Sequence, residues 1–65
     1  MRISDLRERL TLSFGAEWAP SFSQDIAISE LGSKTVDEAL RAGLEAAEIW
    51  RAVCKQCPVE TEKYR

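Results

Sequence analysis

Hydrophobic residues recur at intervals of three and four along most of the chain, the spacing that places them on one face of an α-helix. Ile3, Leu6, Leu10 and Phe14 form the first stripe. Ser4 stands where an N-cap belongs, and Gly15 offers a left-handed stop just past the end. Asp5 and Arg9 have the spacing of a helical ion pair. Leu12 lies off the stripe, as an isolated exposed leucine or part of a contact surface.

A second helix is predicted over about residues 17–30. Pro20 is tolerated only in its first turn, where a missing N–H does no harm. Trp18, Phe22 and Ile26 stack at steps of four, while Ala27, Ile28 and Leu31 fall on other sides. A helix apolar on more than one side is usually central, so this one is expected in the middle of the bundle. Asp25 would then project from a buried surface and need hydrogen-bond donors, such as backbone amides or the Thr35 hydroxyl.

Residues 31–34 read as a turn. Thr35-Val36-Asp37-Glu38 is a capping box, in which hydroxyl and carboxylate reciprocally satisfy free backbone amides. The short third helix ends near Arg41 or Ala42, stopped by Gly43. The fourth spans about residues 45–56 and is closed by Pro58. Ala46, Ala47, Ile49, Trp50, Val53, Cys54 and Cys57 share its apolar face, opposite Glu48, Arg51 and Lys55. The polar residues 58–65 are expected to fray. The reading is thus all-α: a compact four-helix bundle with one short helix, a single domain over 1–57, and a frayed tail over 58–65.

Composition narrows the function. The chain has 65 residues, with 9 basic and 11 acidic side chains and a formal charge of −2. One small core consumes nearly every large apolar residue, leaving few to line a deep substrate pocket. No apolar run exceeds three residues, so neither a membrane-spanning helix nor the apolar core of a secretory signal is present. Met1-Arg2 leads straight into the first stripe, as expected of an unprocessed cytoplasmic chain. Two cysteines three apart make no disulfide framework and suit a reducing compartment.

Candidate chemistry is sparse. Cys54-Lys55-Gln56-Cys57 is a CxxC without histidine or a second CxxC to complete a metal site. It sits at a helix C-terminus, where the dipole disfavours a thiolate, so small apolar roles fit better. Ala39, Gly43, Leu44 and Ile49 have the spacing of a helix–turn–helix corner over 35–56. Its second helix, however, opens with Glu45 and Glu48, carboxylates that phosphate would repel. Trp18 and Trp50 lie on core stripes and read as packing anchors. Arg2, Arg7 and Arg9 are interleaved with Asp5 and Glu8, a solvated face.

With these positions assembled, the chain resembles the actinobacterial family of small proteins known as domain of unknown function 3046. The likeness is carried by Met1-Arg2, Phe14-Gly15, Asp25, Leu31-Gly32, Thr35, Glu38-Ala39-Leu40, Ala42-Gly43 and Trp50-Arg51-Ala52-Val53-Cys54. The sequence departs at Ile26, where such proteins often have a histidine, and at Ser33-Lys34, where they often have Gly-Arg. Cys57 lies outside the pattern. The resemblance implies a bacterial cytoplasmic protein of no assigned activity. It also implies a gene near the recombinase of homologous recombination and its small regulator, which hints at DNA repair.

The expectation is therefore a protein-interaction or regulatory module, acting on another protein or a second copy of itself. Leu12, Ile28 and the exposed part of the fourth helix are its candidate contact positions. The alternative is nucleic-acid binding through residues 35–56. No catalytic residue, metal ligand, cofactor, small-molecule substrate or membrane contact is expected.

Overall fold

The first stripe forms α1, Ile3–Phe14, which buries Leu6 and Leu10. Its N-cap is Arg2, two residues before the expected Ser4. The Arg2 N–H donates to the Asp5 carboxylate at 3.0 Å, closing the first turn. Asp5 is thereby turned away from Arg9, whose guanidinium lies 5.8 Å from the centroid of the Trp50 ring. Capping and a cation–π contact replace the expected ion pair. Ile3, at the fraying end, is exposed, whereas Leu12 is exposed as its off-stripe position implies.

This computed structural model describes residues 1–65 as five α-helices and two 3₁₀ turns, with no β-strand. The all-α class read from the periodicity holds. The second helix, however, is shorter than predicted. α2 runs Ala19–Asp25, with Trp18 as N-cap and Pro20 in its first turn. The chain then leaves the helix at Ile26, whose φ of −94° and ψ of 113° are extended. A 3₁₀ turn follows at Ser29–Leu31, and Ile28 makes an isolated antiparallel bridge to Lys34.

That break has a side chain behind it. The Gln56 amide donates to the Ala27 carbonyl at 3.1 Å and accepts the Ser29 N–H at 2.9 Å. Two backbone groups that a continuing helix would have satisfied are satisfied from outside. Ile28 is thereby turned inward and fully buried, so it is core and not a contact position. Asp25 is exposed at the helix end, and the Thr35 hydroxyl serves Glu38 instead.

α3, Val36–Arg41, begins on the expected capping box. The Thr35 N–H donates to the Glu38 carboxylate at 2.9 Å, and the Glu38 N–H donates to the Thr35 hydroxyl at 3.1 Å. After Gly43 the chain enters α4, Ala46–Gln56, which buries Ala46, Ile49, Trp50, Ala52 and Val53. It packs on α1, α3 and the Ser29–Leu31 turn. α4, rather than α2, is the central helix, because its apolar face is broad and uninterrupted. Arg7 of α1 ties α3 in place through Asp37 at 2.8 Å.

The expected frayed tail is structured. Pro58 ends α4 and at the same time starts α5, Pro58–Thr61, followed by a 3₁₀ turn at Glu62–Tyr64. Both pack against α1. Thr61 is fully buried, its hydroxyl donating to the Cys57 carbonyl at 2.8 Å. Four expected helices thus become five, and the packed structure continues beyond residue 57. No helix is long and apolar enough to cross a membrane.

Candidate functional site

Trp18 is the side chain that the periodicity misplaces. As the N-cap of α2 it stands outside the helical stripe proper, and 48 % of it is exposed. Behind it the two phenylalanines of the stripes meet. Phe14 and Phe22 stack with ring centroids 4.1 Å apart and planes 16° from parallel. Phe22 is buried and Phe14 half-buried.

Together with Ile26 and Cys57, these rings line an open groove of ≈ 340 Å³, edged by Ser13 and Glu60. Its position follows from the helix ends. Phe14 is the last residue of α1, Ile26 is the C-cap of α2, and Cys57 is the C-cap of α4. The floor is apolar. Its polar groups are the Glu60 carboxylate and the Ser13 hydroxyl, the latter buried without a hydrogen-bond partner.

The chemistry at this groove is weak. The Cys57 thiol is pushed above its ordinary value by burial first, then by the charges of Glu60 and Cys54. A thiol so placed is held protonated and is a poor nucleophile. Ser13 has no base within hydrogen-bonding reach. Cys54 and Cys57 are both free and half-buried, consistent with packing roles. No three His, Cys, Asp or Glu side chains converge as metal ligands do.

Two other depressions are smaller or more polar. One, of ≈ 300 Å³, lies over α4 between Glu30, Glu48, Arg51 and Lys55. Its charges alternate, and Lys55 pairs with Glu30 at 3.5 Å. The other, of ≈ 250 Å³, is a shallow seam between α1 and α2 beside Arg7 and Ser23.

The corner at 35–56 exists as two helices joined by a short turn. Its second helix buries five of eleven residues and, with its N-cap Glu45, presents Glu48, Arg51 and Lys55 to solvent. Of the contact positions read from the sequence, Leu12 and this face of α4 are exposed, Ile28 is buried, and Trp18 joins them. The signal for Trp18 was the Pro20 rule itself: a helix that starts after Trp18 leaves it at the rim.

Fold and site together define a small all-helical domain whose chief surface feature is an aromatic groove at converging helix ends. The chain belongs to the family described as "Protein of unknown function (DUF3046)", whose model matches residues 1–61. That span includes α5 and the buried Thr61. No curated protein and no solved structure shows significant similarity to the chain.

Proposed function

We propose that this protein is a non-enzymatic protein-interaction module of a reducing cytoplasm, with the Trp18 groove as its contact surface. The observation that carries the reading is the half-exposed Trp18 beside a floor of Phe14, Phe22 and Ile26. A small domain that leaves an indole in solvent forgoes burial of a side chain worth roughly 1.5–3 kcal/mol. Tryptophan is enriched among the interface residues that dominate binding energy.

The test is affinity capture from the native cytoplasm with the wild-type chain and Trp18→Ala in parallel. A partner retained by the first and lost by the second supports the groove. A partner held equally by both removes it. Self-association is separated by light scattering, where a clean monomer at high concentration eliminates that version.

Nucleic-acid binding through residues 35–56 is the second reading, kept because the two-helix corner is present. The first turn of α4 weighs against it, since Glu45 and Glu48 would face phosphate. Absence of a shift of labelled duplex at low salt, where charge attraction is least screened, ends that reading.

A further inference from the structure

We propose that the occupant of the groove is a cationic amphipathic segment of another protein, an apolar anchor flanked by lysine or arginine. The inference rests on the interaction reading above and adds the partner's chemistry. Three observations carry it.

The surroundings of the groove are acidic. Glu60 is the one charged residue among those that line it. Glu17 and Asp25 adjoin Trp18 and Ile26 in the chain, both are exposed, and neither belongs to an ion pair. Between Arg9 and Lys34 the sequence contains no basic residue at all. Of the bases in and beside the terminal elements, Lys63 is exposed and in no ion pair, while two are engaged. Lys55 pairs with Glu30, and the Arg65 guanidinium donates to the Pro58 carbonyl at 2.8 Å.

The backbone adds to that field. The longest helix, α1, brings its C-terminal end to the groove at Phe14. Carbonyl groups at such ends carry partial negative charge and favour a cation. α1 has no basic residue in its last turn to offset its own end.

The shape accepts side chains, not a folded face. At ≈ 340 Å³ the groove lies at the low end of ligand-site volumes, about 300–1,000 Å³. One or two apolar side chains presented by a helix or strand would fill it. The exposed Trp18 ring offers its face to a guanidinium or ammonium alongside.

A randomised peptide library displayed on phage and panned against the immobilised full chain reads the preference directly. The expected winners carry an aromatic or aliphatic anchor flanked by Lys or Arg. Their binding is expected to weaken as salt rises. A synthetic consensus peptide is then expected to lose about tenfold in affinity toward the triple variant Glu17→Gln, Asp25→Asn, Glu60→Gln. Winners of neutral or acidic character, or no loss in the triple variant, overturn the cationic partner and leave the interaction module standing. No peptide enriched over a Trp18→Ala control, in a chain that stays monomeric, overturns the module as well. Self-association abolished by Trp18→Ala, with no peptide enriched, assigns the groove to a second copy and overturns the inference.

Discussion

Gln56 and Ser29 lie 27 residues apart in sequence, and the side chain of the first accepts the backbone N–H of the second at 2.9 Å. The same amide donates to the Ala27 carbonyl, so the last residue of α4 clamps the chain where α2 gives way. The clamp is exposed, and Gln56→Ala is expected to lower stability by about 1 kcal/mol. Gln56→Glu keeps the acceptor for Ser29 but faces a carboxylate toward the Ala27 carbonyl, so it should lose a similar amount at neutral pH. Urea unfolding of the three proteins checks this; a glutamate variant as stable as wild type would show that the Ala27 bond contributes nothing.

Ser33 occupies the left-handed region with φ of +64°, directly after Gly32 at φ of +69°. A residue with a Cβ there carries about 1–2 kcal/mol of strain, partly offset in glycine by roughly 0.5–1 kcal/mol of chain entropy. Ser33→Gly is expected to raise the thermal midpoint, by a gain of about 0.5–1 kcal/mol. An unchanged or lower midpoint in calorimetry would contradict it.

What could be read from the chain was what neighbours in sequence decide. Thr35 and Glu38 cap each other, Gly43 stops α3, and Pro58 cannot continue α4, so these boundaries fall where the residues place them. The helix predicted past Asp25 is absent because Ile26 keeps the four-residue rhythm of Trp18 and Phe22 while a partner from α4 redirects the backbone after it. Ile28 therefore moved from surface to core. Trp18 moved the other way, because its exposure depends on α2 starting one residue after it. Thr61 carried no signal at all: a threonine among charges reads as solvent-facing until its hydroxyl is seen bonded to the Cys57 carbonyl. The groove is made from the ends of three helices, and no pattern along the chain announces where ends will meet.

The terminal segment is expected to stabilise the fold. Thr61→Val keeps the buried volume and removes one hydrogen bond, a loss of about 1 kcal/mol. Deleting residues 58–65 removes the buried Thr61 and the half-buried Tyr64 from α1, a loss of roughly 2 kcal/mol or more. Against a net stability of about 3–5 kcal/mol for a core of this size, the shortened chain should melt at a markedly lower temperature. Circular dichroism melts of both proteins decide the point, and a shortened chain that melts like wild type would mean the tail only rests on the surface.

The Cys57 thiol gives the fold an alkaline limit. Burial, then Glu60, then Cys54 raise its pKa above the ordinary 9.0, so the folded chain holds this proton more tightly than the unfolded one. Stability rises with pH where the unfolded state binds more protons, and here it binds fewer. The contribution is therefore complete below pH 9.0 and declines as pH climbs through the folded value. Cys57→Ser removes the titration while keeping a small polar side chain. Urea midpoints at about pH 7.5 and about pH 10 should fall further for wild type than for the variant, which cancels titrations common to both. Alkylation by iodoacetamide supplies an independent reading, because only the thiolate reacts. Cys57 should be modified more slowly in the folded chain than in urea at the same pH, and equal rates would place its proton affinity at the ordinary value.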